Sequence, residues 1–285
     1  MSTSRINFKQ LRQENLKSTF AAFERAFAKL DIGFYIIGAL ARDTWFVGKG
    51  IRALGTKDVD LAVMITDQQK FNTLKEYLIN SENFSATSNE YTVRDPHGFE
   101  VDMFPFGELN IEGRKVTDKE GLVHTDVSGL QEVYEEATEE VSFENKYNFR
   151  VASLAGIVIL KLIAWDDRPE MRSDDLDDIA VIINHYFILE EKLIYEQHID
   201  LFTVDFHDLK LLSARVLGRE IRLILQKNEL LRTRILTILA EEKKEIQRKF
   251  RGILVDDDSP GLPDYHEAII QEMEKGIEEN KYDES

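Results

Sequence analysis

The clearest alternation of apolar and polar residues in this chain lies between Phe34 and Met64, in FYIIGALARDTWFVGKGIRALGTKDVDLAVM. Phe34 to Ile37 is a short apolar run of the kind that makes a buried strand, and it stops at Gly38-Ala39. Leu40 to Phe46 predicts a helix, and Gly48 to Gly55 a glycine-bearing loop. A second strand opens at Asp58. Side chains alternate along a strand, so Asp58 and Asp60 share one face while Val59, Leu61 and Val63 share the other. Upstream, Phe8, Leu11, Leu16, Phe20, Phe23, Phe27 and Leu30 recur at mixed helical spacings and predict a helix from Phe8 to Leu30. Its stripe suits a core better than a partner surface. Asp31-Ile32-Gly33 ends it.

Downstream, Asp67 to Leu78 predicts a helix with Thr66 or Asp67 as N-cap. Two short strands follow, Glu90 to Arg94 and Phe99 to Phe104, joined by the turn Asp95-Pro96-His97-Gly98. In the second, Val101 and Met103 face one way and Glu100, Asp102 and Phe104 the other. Lys115 to Lys146 is polar and acidic, with a short helix near Leu130 to Ala137. Tyr147 to Ala152 predicts a last strand, and Ser153 to Trp165 a helix apolar nearly all round, with Lys161 as its one strong charge. From Leu189 to Arg251 the pattern is helical. Asp256-Asp257-Asp258-Ser259-Pro260-Gly261 marks a break, and Tyr265 to Ile277 a short helix before an acidic end.

These elements predict an α/β fold: a mixed sheet with flanking helices, followed by an α-helical C-terminal domain. The expected division is 1–146, 147–255 and an acidic tail over 256–285. The 43% hydrophobic content of the 285 residues is ample for a buried core. There is no Cys, which excludes disulfides and thiolate chemistry. No apolar run approaches the roughly 18 residues of a membrane span, and the N-terminus lacks an apolar signal region, so a cytoplasmic location and no membrane partner are expected. The net charge of −17 disfavours general nucleic-acid binding, which rests on Lys and Arg at phosphates. It leaves room for a local basic patch or a cationic partner. Residues 253–285 concentrate this charge, with 11 acids against 2 lysines.

The candidate chemistry is carried by carboxylates. Asp58 and Asp60 side by side repel each other unless a cation lies between them. Hard divalent ions such as Mg²⁺ take such oxygens together with phosphates. Asp102, alone between apolar neighbours, is the expected third ligand if its strand pairs with theirs; otherwise it is a salt-bridged or edge-strand aspartate. Lys161 is either a lysine whose stem lies on the core while its head reaches water or a phosphate-binding lysine. Asp175 and Asp178 lie in the first turns of a helix, where acids also complement the dipole.

In order, Gly38-Ala39 at a strand-to-helix turn, Asp58-x-Asp60 on the next strand and Asp102 on a later one resemble the nucleotidyltransferase superfamily with the polymerase-β-like fold. IIGALARD with Arg52-x-x-x-Thr56-x-Asp58-x-Asp60, and later SLAGIVILKLIAWDDRPEMRSDDLDDI, look most like the AbiEii/AbiGii toxin group. The resemblance implies metal-dependent transfer of NMP from an NTP to an acceptor, with two Mg²⁺ ions on Asp58, Asp60 and Asp102. It places Gly38, Ala39, Arg42, Thr56 and Lys161 at the nucleotide, and gives Asp175 the positioning of Lys161 or of the acceptor. Arg42 has a local alternative, a salt bridge to Asp43. Ala39 departs from the Gly or Ser usual at its position. The helical domain is expected to complete the cleft. Acceptors implied are RNA such as tRNA, or protein, with an antitoxin as partner. A cationic small molecule, as in aminoglycoside nucleotidyltransferases, is the alternative, and a nucleotide- or partner-binding module without turnover is another.

Overall fold

The computed structural model describes residues 4–107, 115–117, 124–202, 208–254 and 265–279. The chain divides into two compact units, Met1–Ser153 and Leu154–Ser285. The acidic stretches 255–264 and 280–285, which hold the expected break and the end of the tail, lie outside the described residues.

The first unit is built on a mixed eight-stranded sheet. Its strands are β1 (Ser4–Ile6), β2 (Phe34–Ile36), β3 (Asp58–Met64), β4 (Ser85–Ala86), β5 (Thr92–Arg94) and β6 (Glu100–Phe106). A separate hairpin, β7 (Lys115–Thr117) with β8 (His124–Asp126), intervenes before β9 (Thr138–Phe143) and β10 (Tyr147–Ala152) return to the main sheet. The order across that sheet is β1-β9-β10-β2-β3-β6-β5-β4. β3 and β6 pair in parallel at its centre, and β2 and β5 flank them antiparallel. Val59, Leu61, Val63, Val101 and Met103 are all fully buried, as their alternation requires. Burial of such a side chain contributes about 1.5–3 kcal/mol, so these five residues fix which face of the two strands is core.

Helices α1 (Leu16–Leu30), α2 (Gly38–Gly48), α3 (Gln68–Glu82) and α4 (Leu130–Glu136) belong to this unit. α3 is capped by Asp67, whose carboxylate accepts from the Lys70 amide at 2.8 Å. The helix expected from Phe8 is shorter. Residues 7–15 form turns, Arg12 has a φ of +60°, and α1 begins only at Leu16. Phe8 and Leu11 are still buried, because Phe8 packs edge-on against Phe20 at 4.9 Å and stacks on Phe143 at 6.0 Å. Apolar residues at irregular spacing can thus be collected by a turn as well as by a helix. The boundary drawn at 146 also moves. β10 pairs with both β9 and β2, so its residues belong to the sheet.

The second unit is helical: α5 (Leu154–Asp167), α6 (Ser173–Leu189), α7 (Glu191–Gln197), a 3₁₀ turn (Ile199–Leu201), α8 (Leu209–Leu225), α9 (Glu229–Glu241), α10 (Lys243–Ile253) and α11 (Tyr265–Glu278). α5 is buried around most of its circumference, as its all-round apolar sequence predicts. Asp208 caps α8 by accepting from the Lys210 and Leu211 amides. α11 packs along α8 with two glycines at the contact. A Cβ on Gly218 would lie 2.2 Å from the Met273 carbonyl oxygen, and one on Gly276 would lie 2.3 Å from that of Arg215. Arg219 of α8, 2% exposed, pairs with Glu279 just past the end of α11 and with Asp200 of the 3₁₀ turn at 2.8 Å. The C-terminal helix is therefore part of the second unit's core, with Ile269, Ile270, Met273 and Ile277 buried. Among the described residues, no helix is long and apolar enough to cross a membrane.

Gly276→Ala forces two backbones apart. It is expected to destabilise the protein by about 1–3 kcal/mol, read as a lower urea midpoint by circular dichroism. Gly252→Ala in α10, where a Cβ meets nothing within 4 Å, is the control and is expected to leave the midpoint unchanged or raise it.

Candidate active site

The turn after β2 builds the site's floor. The Ile37 amide donates to the Asp60 carbonyl at 3.0 Å, which ties the end of β2 to the middle of β3. Gly38 then turns the chain into α2 with a φ of +66°. A Cβ at Gly38 would lie 2.0 Å from Asp60 Oδ2, so the Asp60 carboxylate occupies the space that any side chain at 38 would need. Glycine is required here on two counts: its left-handed backbone and its missing Cβ. The first residue of a helix carries unpaired N–H groups and the positive end of the helix dipole. A carboxylate beside it is favourably placed, and so would be a phosphate.

The sheet register supplies the rest. Asp60 and Asp102 are direct partners in the parallel β3–β6 pair, and Asp58 pairs with Glu100 one level away. Adjacent strands lie about 4.8 Å apart, so Asp58, Asp60 and Asp102 occupy neighbouring positions on one half-buried face. This is the arrangement expected from the sequence, conditional there on the pairing of the two strands. Each carboxylate has local support. Thr56 Oγ1 donates to Asp58 Oδ1, and Thr92 Oγ1 to Asp102 Oδ1. Thr92 lies directly opposite Asp102 on β5, so Asp60, Asp102 and Thr92 form one rung across three strands.

The loop before Asp58 is anchored from two sides. Gln13 Nε2 donates to the Thr56 carbonyl at 2.6 Å, and the Gly55 amide donates to Asp43 Oδ2 at 2.7 Å. Asp43 in turn accepts from Arg42 Nε at 3.0 Å and Nη2 at 2.8 Å on its other oxygen. Arg42 is 3% exposed and Asp43 2%. Arg42 was expected at the nucleotide phosphates. In the structure it makes the local pair with Asp43, buried, and Asp43 holds the loop leading to Asp58. Thr56, also expected at the nucleotide, is turned to Asp58. Ala39 is half-buried in the first turn of α2.

Among the described residues, no three His, Cys, Asp or Glu side chains are gathered closely enough to form a ready-made metal cage. The three carboxylates are nonetheless oxygen donors of the kind a hard cation takes, on one face, with two of them in register on adjacent strands.

Lys161 and Asp175 belong to the second unit. Lys161 Nζ donates to Asp175 Oδ1 at 2.7 Å and pairs with Asp178 Oδ2 at 2.6 Å. Burial pulls the Lys161 ammonium down, but the two carboxylates outweigh it and the net shift is upward. Asp175 thus pairs with Lys161 as well as lying in the first turn of α6, where an acid complements the dipole. Asp175 Oδ2 is buried without a hydrogen-bond partner among the described residues. The Lys161 contacts with Asp175 and Asp178 tie α5 to α6.

Gly38→Ala is expected to lose about 1–3 kcal/mol through its left-handed backbone, with Asp60 displaced as well, measured by urea unfolding. Lys161→Ala leaves two acids buried together and is expected to cost about 3–5 kcal/mol at neutral pH. The raised lysine pKa means its stabilisation is fully present below the ordinary lysine value and is lost only as pH rises through the higher folded value. The deficit of the variant is therefore constant across neutral pH.

A comparison with solved structures finds a likeness to the antibiotic-resistance factor ANT(2'')-Ia in its solution structure, with 10% sequence identity, 84% of this chain and 91% of that chain covered, and a TM-score of 0.36. At that score the likeness carries no argument. No protein-family model and no curated protein matches the sequence. The resemblance to the nucleotidyltransferases therefore stands on the motif residues themselves.

Proposed function

We propose that this chain is a nucleotidyltransferase that moves NMP from an NTP to an acceptor hydroxyl. One observation carries the reading: Asp60 sits against the side-chain-free turn at Gly38 and in register with Asp102, with Asp58 on the same face. A helix N-terminus beside a row of carboxylates suits a triphosphate that arrives with divalent cations. Asp58, Asp60 and Asp102 would hold two Mg²⁺ ions. When bound, these supply positive charge to the triphosphate and to the oxygens that gain charge as it reacts. The amides at Gly38 and Ala39 would hold phosphate oxygens. Ala39 is small enough for that approach, though it offers no hydroxyl. Thr56 would keep Asp58 oriented, and the Arg42–Asp43 pair would fix the loop that carries it. The acceptor oxygen forms a bond to the α-phosphorus, the bond from that phosphorus to the bridging oxygen breaks, pyrophosphate leaves with the electron pair, and the hydroxyl proton passes to water.

RNA such as tRNA, or protein, is the acceptor class we favour, on the motif resemblance to the AbiEii/AbiGii group. That resemblance also brings a toxin role and an antitoxin partner. The net charge of −17 favours a second reading, a cationic small-molecule acceptor, because a strongly acidic protein attracts cations and repels polyanions. The substitution of Ala at position 39 motivates a third, a binding module without turnover.

The test is label transfer: Mg²⁺, each α-labelled NTP in turn and a cell extract, with the purified protein beside Asp58→Ala/Asp60→Ala. Label on an RNA or protein band with wild type alone is the expected result. Label on a cationic small molecule alone selects the second reading. NTP binding without pyrophosphate release under any acceptor overturns the transferase in favour of the binding module.

A further inference from the structure

We infer that Thr92 is a positioning residue for Asp102, which it holds by its hydroxyl in the orientation a divalent cation requires; this rests on the metal-site reading proposed above. Thr92 is 5% exposed and lies opposite Asp102 in the β5–β6 register. Its Oγ1 donates to Asp102 Oδ1. A carboxylate on a strand keeps freedom about its last two torsions. A buried hydroxyl fixed on the neighbouring strand removes that freedom and takes one lone pair of Oδ1. Threonine suits the role because its β-branched side chain is nearly fixed about χ1, so the oxygen is held as firmly as the strand itself.

The strand pair needs no hydroxyl at this position. Valine has the same shape and at least equal strand propensity, and the neighbouring Val93 is fully buried. The Thr92 hydroxyl also has a counterpart one level along the face, where Thr56 donates to Asp58. Two of the three carboxylates are thus each given a threonine hydroxyl, one from the preceding loop and one from the adjacent strand. The third, Asp60, is confined by the Gly38 turn. Partners that orient a metal ligand typically govern affinity by 10–100-fold.

The experiment titrates Mn²⁺ alone into the full chain, with free Mn²⁺ read by electron paramagnetic resonance. The proteins compared are wild type, Asp58→Ala/Asp60→Ala, Thr92→Val and Thr92→Ser, each checked by thermal melting. The expected result is that wild type binds and the double aspartate variant does not. Thr92→Val is expected to bind about 10–100-fold more weakly, while Thr92→Ser, which keeps the hydroxyl, restores near-wild-type affinity. A change in melting temperature with no change in Mn²⁺ affinity would make Thr92 a packing residue only and overturn the inference. If Thr92→Val does not fold, Thr92→Ala removes the hydroxyl without filling the site, and the same comparison with Ser decides. Absence of Mn²⁺ binding by wild type overturns the metal reading itself, and this inference with it. The wild-type titration alone separates that outcome from a failure of Thr92.

Discussion

The contact between Asp60 and the Cα of Gly38 sets what the rest of the site can be. Nothing larger than hydrogen fits at position 38, since an ideal Cβ would stand 2.0 Å from a carboxylate oxygen. Two backbone facts hold the contact in place. The Ile37 amide is bonded to the Asp60 carbonyl, and Gly38 has the left-handed φ that swings the chain into α2. The end of one strand, the start of a helix and the middle of a second strand therefore meet within a single residue's width. The helix N-terminus partly offsets the charge that the strand presents.

Charge repulsion explains the arrangement around that contact. Three carboxylates on one face raise one another's energy, and each is stabilised by a different part of the chain. Asp58 has the Thr56 hydroxyl, Asp102 has the Thr92 hydroxyl, and Asp60 has the turn. The buried Arg42–Asp43 pair extends this support outward, since Asp43 also receives the Gly55 amide in the loop before Asp58. Removing one partner from such a pair leaves an uncompensated buried charge. The loop is thus held by an interaction that tolerates no half measures.

The period-2 pattern made β3 and β6 legible, with Val59, Leu61, Val101 and Met103 inward and the aspartates on the opposite face. It could not supply the pairing of those strands, because register between segments some forty residues apart depends on the whole sheet. Thr92 was invisible for the same reason: in sequence it is an ordinary strand residue, and only its place opposite Asp102 gives it a role. Arg42 and Asp43 were legible as neighbours that could pair, but the burial of that pair is a property of the fold. β1 and β9 were missed because β1 is three residues long and β9 begins Thr138-Glu139-Glu140. Only Val141 and Phe143 mark its buried face. Lys161 with Asp175 and Asp178 showed the converse. Helical spacing made it legible that the acids share one face, and the fold added that the buried lysine pairs with both.

The alternation of β3 and β6 also acts as an error check on the chain's own assembly. A slip of one residue would turn the valines, Leu61 and Met103 toward the polar face and drive the aspartates into the core. A slip of two would keep the faces but set Asp60 opposite Glu100 or Phe104 instead of Asp102, and would break the Ile65–Phe106 backbone bond that closes the pair. Mispaired chains of the first kind cannot bury their core at all. The same hydrophobic residues that stabilise the sheet therefore screen out folded molecules with scrambled chemistry, so the fidelity of the site is inherited from the stability of the core.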